Sequence, residues 1–133
     1  MVLVDTSVWV DYFNGVDTRQ TNHLDELLGS SRILIGDLIL AELLQGFARE
    51  SDYRRARDLL DAFPYADLVG KDVALAAANH YRKLQARGFT VRKTIDVLIG
   101  TFCIVNGHEL LHCNRDFDPM EKSLGLRVVR QLG

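Results

Sequence analysis

Residues 1–13 read Met1-Val-Leu-Val-Asp-Thr-Ser-Val-Trp-Val-Asp-Tyr-Phe13, and the change of period inside them decides the fold class. Val2-Leu3-Val4 is a short apolar run with no polar face, the pattern of a strand buried on both sides. Asp5-Thr6-Ser7 then offers three side-chain oxygens in a row, a helix-start signal. Val8, Trp9, Tyr12 and Phe13 follow at helical spacing until Asn14-Gly15 stops the helix. A strand feeding straight into a helix is the first half of a βαβ unit, whose second strand runs parallel to the first.

The alternation continues outward from there. A helix is expected over 18–28, closed by Gly29, and a second strand over 32–35. Gly36-Asp37 opens a helix over 38–47, and Ser51 is the expected N-cap of another that ends near Phe63, ahead of Pro64. A short third strand near 65–68 precedes an alanine-rich helix over 71–87 and a further helix over 94–106, closed by Gly88 and Gly107. Strands over 109–112 and 126–129 complete the series. No internal repeat or low-complexity stretch interrupts it. The expected class is three-layer α/β, a parallel sheet flanked by helices on both faces, built as one domain over 1–133.

Composition narrows the function classes. The chain is 47% hydrophobic and 26% charged, ordinary values for a globular domain. It has no apolar run of about 18 residues and no basic, apolar leader at its start, so the expected location is the cytoplasm, away from any membrane. Cys103 and Cys113 are read as a pair of small buried hydrophobes rather than a disulfide framework. The two cysteines and four histidines show no zinc-ligand spacing. A net charge of −2 argues against a nucleic-acid partner only at first sight: with four acids assigned to one metal centre, 16 basic residues face 14 acidic ones.

Four acids stand in costly or suggestive places. Glu42 is the only charge in Leu38-Ile-Leu-Ala-Glu-Leu-Leu-Gln-Gly-Phe47, a segment expected to be a buried helix, and Asp96 is the only charge in Thr94-Ile-Asp-Val-Leu-Ile-Gly-Thr-Phe-Cys-Ile-Val105. A buried carboxylate costs several kcal/mol unless it is protonated, paired or bound to a metal. Asp5 and Asp116 each follow the carboxyl end of an expected strand, where α/β sheets bind ligands. Each acid also has an ordinary explanation: an exposed helix edge for Glu42, a helix-dipole position for Asp96, an N-cap for Asp5, a turn for Asp116. If the first and fourth strands are neighbours, all four converge, and four like charges need a cation. Oxygen-only donors then point to Mg²⁺ or Mn²⁺.

On Val2-Leu-Val-Asp5-Thr6-Ser7, Ala41-Glu42-Leu-Leu-Gln-Gly46, Thr94-Ile-Asp96 and Asn114-Arg-Asp116-Phe117 the chain resembles PIN domains, and more narrowly VapC-type toxins of prokaryotic toxin–antitoxin pairs. Each motif is short; their order and separation span nearly the whole chain. The resemblance implies about five strands in the order 3-2-1-4-5, and a Mg²⁺- or Mn²⁺-dependent endoribonuclease that cuts structured RNA such as tRNA through a metal-activated water. Asp5, Glu42, Asp96 and Asp116 match its catalytic and metal-holding tetrad. Thr6 and Ser7 would be supporting groups that orient Asp5 or a water. Asn114 stands at a position that bears on the number of metals, and Asp118 is an auxiliary acid or a turn residue beside Pro119. A homodimer and a VapB-type antitoxin that covers the acidic groove are also implied.

RNA contact is expected from basic residues around the pocket, Arg115 foremost because it directly precedes Asp116, with Arg92 and Lys93 among the further candidates. Two rival readings are a Mg²⁺-dependent phosphatase and a catalytically silent RNA- or protein-binding module. The first wants a second Asp two residues after Asp5, where the chain has Ser7. The second has no use for four mutually repelling acids.

Overall fold

The computed structural model describes residues 1–130, so the last three residues of the expected 1–133 domain lie outside the described residues. Strand β1 (Val2–Val4) runs into helix α1 (Thr6–Phe13), and α2 (Arg19–Leu28) leads to β2 (Ile33–Gly36). Helices α3 (Asp37–Leu44) and α4 (Glu50–Leu60) precede β3 (Tyr65–Ala66). Helices α5 (Gly70–Ala86) and α6 (Thr94–Asn106) precede β4 (Glu109–Leu111), a 3₁₀ turn (Arg115–Phe117) and α7 (Asp118–Leu124).

The sheet order among the described residues is β3-β2-β1-β4, every pair parallel. Val2, Leu3 and Val4 lie opposite Glu109, Leu110 and Leu111, and Val2 and Leu3 opposite Ile33 and Leu34. All three residues of β1 are buried, as a strand covered on both faces requires. The chain departs from β1 toward β2 on one side and β4 on the other, so the strand order reverses between β1 and β4. That reversal opens a crevice at their carboxyl ends.

The fifth strand expected over 126–129 is a single parallel bridge, Leu110 to Val128. The short β4 explains this. Glu109 and Leu111 direct their backbone groups to β1, through Glu109 N–H to Met1 O (3.1 Å) and Asp5 N–H to Leu111 O (2.9 Å). Only Leu110 faces outward, and it bonds Arg127 O at 2.9 Å and Val129 N–H at 3.0 Å. The last position of the expected order is thus filled by one residue's worth of ladder.

Other boundaries also moved. Helix α3 stops at Leu44 and α4 at Leu60, three residues earlier than expected in each case, while β3 is two residues long. Helix α7 was not expected, because Asp118-Pro119 reads equally as a turn. Pro sits in its first turn, where the missing N–H costs nothing, and Gly125 closes it at φ 78°. Trp9 and Phe117 are fully buried, with Leu3, Ile99 and Leu110 among the core residues around them. Trp9 stacks on Phe13 with ring centroids 6.0 Å apart, so this aromatic run is packing, as its helical spacing suggests.

Candidate active site

The crevice between β1 and β4 gathers side chains from four elements. Asp5 leaves the end of β1 in extended backbone and caps α1, its Oδ2 accepting from Ser7 N–H at 3.1 Å and Ser7 Oγ–H at 2.6 Å. Asp5 is only 4% exposed. The Ser7 hydroxyl also accepts from Cys113 N–H at 3.3 Å, which ties the end of β1 to the loop after β4. Asp5 Oδ1 has no protein donor among the described residues.

Asp96 is the third residue of α6 and is buried, 7% exposed. Its carboxyl is pushed up to about 6, first by burial and next by Asp5. Lys93 opposes the rise, while Asp116 and Glu42 add to it. The other three acids therefore all press on Asp96.

Asn114 joins Asp96 to Asp116. Its Nδ2 reaches Asp96 Oδ2 at 3.5 Å, while its Oδ1 accepts from Asp116 N–H at 3.0 Å and so caps the 3₁₀ turn that carries Asp116. His112 secures the start of that loop. Its Nδ1 accepts from Asn114 N–H at 3.2 Å, and its ring lies against buried Phe117 with centroids 5.0 Å apart. Nothing singles out His112 in the sequence beyond its place at the end of a strand.

Glu42 corrects one expectation. Helix α3 is short and only half-covered, with Ala41 exposed and Glu42 half-buried, so Glu42 is not enclosed in apolar surroundings. It is held instead by a hydrogen bond from Thr6 Oγ1 to its Oε1, at 3.0 Å. Thr6 and Ser7 thus each serve a different acid. Asp118 lies apart: it is exposed and lines a cavity of about 260 Å³ with Arg19, His23, His112 and Arg130. Arg115 is exposed on the 3₁₀ turn, whereas Arg92 and Lys93 line a small cleft with Asp96 and Asp116.

The cysteine reading holds for one residue only. Cys103 is buried, but Cys113 is exposed, because it falls beyond β4 in the loop where its Sγ approaches Asp11 Oδ2 at 3.6 Å.

The donor chemistry suits a hard cation: four carboxylates, with at least one oxygen of Asp5 and Glu42 left without a protein donor among the described residues. No Lys or Arg forms an ion pair with any of the four among the described residues. The acids nevertheless stand apart. No three His, Cys, Asp or Glu side chains among the described residues are gathered closely enough to hold one ion, so an ion would have to draw them together.

Comparison with known proteins agrees with this geometry. A family model for the PIN domain matches residues 2–122. Ribonuclease VapC11 of Mycobacterium tuberculosis is 30% identical over 131 residues, covering 97% of this chain and 98% of the relative. Ribonuclease VapC32 of the same species is 32% identical over 111 residues, covering 83% and 82%. Among solved structures, VapBC2 from Rickettsia felis bound to a DNA fragment from its promoter superposes with a TM-score of 0.76 at 19% identity, over 97% of this chain and 98% of that one. M. tuberculosis VapC20, described as a sarcin–ricin loop cleaving toxin, superposes with a TM-score of 0.61 at 14% identity, over 89% and 93%. These likenesses and the strand order coincide: the chain belongs to the PIN-domain family, and within it to the VapC type.

Proposed function

We propose that this chain is a Mg²⁺- or Mn²⁺-dependent endoribonuclease, the toxin of a type II toxin–antitoxin pair, which cuts structured RNA with tRNA as its first candidate. The observation that carries this reading is that Asp5, Glu42, Asp96 and Asp116 border the β1–β4 crevice, with no ion-paired cation to offset them among the described residues. Gathering four carboxylates costs folding free energy, and a scaffold that only binds has no reason to bear it. The 30% identity to a protein named as a ribonuclease, over nearly the full length of both chains, supports the same activity here.

Asp5, Glu42, Asp96 and Asp116 would hold the ion. When bound, it supplies activation of a water for attack at phosphorus and offsets charge growing on the phosphate and the leaving oxygen. The surrounding residues keep the acids in place. Ser7 fixes the Asp5 carboxylate and couples it to the Cys113 backbone, Thr6 fixes Glu42, and Asn114 spaces Asp96 from Asp116. Their removal should weaken the site without abolishing it. Asp118 has no place in this set, and Arg115 contributes at most a peripheral phosphate contact.

The partner assignment rests on the solved neighbours, which include VapBC complexes from Rickettsia felis and Salmonella typhimurium; we assign this chain a VapB-type antitoxin, whose segment covers the acidic crevice. The same family likeness supports a homodimer acting in the cytoplasm. No helix of the described residues is long and apolar enough to cross a membrane.

Antitoxin-free protein incubated with mixed tRNA, ribosomal RNA and a chromogenic phosphate monoester tests the reading. The expected result is discrete RNA fragments that form with Mg²⁺ or Mn²⁺ and not in EDTA, with the monoester untouched. Attack by water leaves no 2′,3′-cyclic phosphate on the fragments. Hydrolysis of the monoester without RNA cleavage would support the phosphatase reading instead, and metal-independent RNA binding without cleavage the silent binding module.

A further inference from the structure

We propose, resting on the ribonuclease reading above, that His112 is a positioning residue of the acidic centre. Its Nδ1 fixes the backbone of Asn114 and thereby sets where Asp116 stands relative to Asp96.

Three backbone N–H groups of the loop after β4 are held by side chains. Ser7 Oγ accepts from Cys113 N–H at 3.3 Å, His112 Nδ1 from Asn114 N–H at 3.2 Å, and Asn114 Oδ1 from Asp116 N–H at 3.0 Å. The last two bonds share one spacing, so a relay runs from position 112 through 114 to 116. Short polar side chains are the usual acceptors in such turns, and Asn114 is one of them. A histidine at the first step needs another reason.

The ring supplies it. His112 lies against Phe117 with ring centroids 5.0 Å apart and planes tilted by 51°, and Phe117 is fully buried. Phe117 N–H in turn bonds Asn114 O at 3.2 Å. His112 therefore grips the 3₁₀ turn at both ends, through Asn114 at its start and Phe117 at its close, with Asp116 between them. An asparagine in its place could supply the bond but not the packing, and a phenylalanine the packing but not the bond. No other group among the described residues accepts from Asn114 N–H. Asn114 carries the consequence to Asp96, whose Oδ2 its Nδ2 reaches at 3.5 Å.

The bond also fixes the tautomer. A backbone amide can only donate, so Nδ1 is unprotonated and the ring proton sits on Nε2. The acids stand apart among the described residues, so a bound ion has to draw them together. A loop already set by His112 lowers that cost, and the residue's effect falls chiefly on metal affinity.

The test uses full-length, antitoxin-free protein. In the metal-free, ¹⁵N-labelled parent at neutral pH, long-range ¹H–¹⁵N correlation should show His112 with Nδ1 unprotonated and Nε2 protonated. Calorimetry then gives the Mn²⁺ affinity of the parent, His112→Phe and His112→Asn, beside the melting temperature of each. His112→Phe keeps a ring against Phe117, so it should melt near the parent yet bind Mn²⁺ about 10- to 100-fold more weakly. His112→Asn keeps an acceptor for Asn114 N–H, so it should recover most of the affinity although it melts lower. Affinity that follows stability across the three proteins would make His112 a packing residue and overturn this inference. So would a proton on Nδ1, or a His112→Phe that binds Mn²⁺ like the parent; the ribonuclease reading stands in each case. A parent protein that binds no Mn²⁺ and leaves RNA intact overturns the ribonuclease reading itself, and this inference with it.

Discussion

Asp96 is the buried acid on which Asp5, Asp116 and Glu42 all press. Its folded carboxyl titrates at about 6, above the ordinary 3.8, so the folded chain holds a proton there that the unfolded chain has already released. The sign follows from linkage: this contribution to stability is fully present below about 4, is lost as pH rises toward about 6, and is absent at neutrality. In EDTA at pH 7, Asp96→Asn should therefore be more stable than the parent protein by about 2 kcal/mol, with little difference at pH 4. Urea denaturation at both pH values reads this directly, and an Asn variant no more stable at pH 7 would contradict the burial and crowding described here. At this scale Asp96 was legible in sequence because a lone charge in an apolar segment has few cheap places to go, and Asp5 because it follows the carboxyl end of a strand. Glu42 drew the same inference for a weaker reason, since α3 turned out half-covered. His112 was not singled out, because it acts through the backbone of Asn114.

At the scale of elements, the order of strands and helices followed from hydrophobic period, and the errors fell where a single residue decides. Three-residue β4 offers one outward residue, Leu110, so the expected fifth strand is reduced to a bridge. Asp118-Pro119 begins a helix rather than a turn because the residues after it bury Met120 against the core. The join between β2 and α3 is similarly exacting. A Cβ on Gly36 would stand 2.6 Å from Leu68 Cδ1 and 2.7 Å from its Cγ, and Leu68 is fully buried. Asp37, the next residue, binds the same segment through Leu68 N–H at 3.0 Å. Gly36→Ala should lower stability by about 1–3 kcal/mol, read from the denaturation midpoint, because neither partner has room to move. A neutral effect would mean that this join is looser than the contacts indicate.

For the whole molecule, the decisive property is that strand order reverses beside β1. That places Asp5, the Asp116 turn and the start of α6 around one crevice although they span more than a hundred residues of sequence. Hydrophobic period alone gave a parallel sheet but no strand order; the order came from the family likeness, and the structure bears it out through β4. The overall charge of −2 says little about nucleic acid, because with the four acids of that crevice set aside 16 basic residues face 14 acidic ones. The central claim is that the four acids form a metal-dependent RNA-cleaving centre. The most direct measurement is the single-turnover rate of tRNA cleavage by antitoxin-free protein in Mn²⁺, Mg²⁺ or EDTA, beside Asp5→Asn and Asp96→Asn. The account predicts cleavage that requires metal and falls by about 10²-fold or more in each variant. Undiminished cleavage by either variant, or cleavage that persists in EDTA, would contradict it.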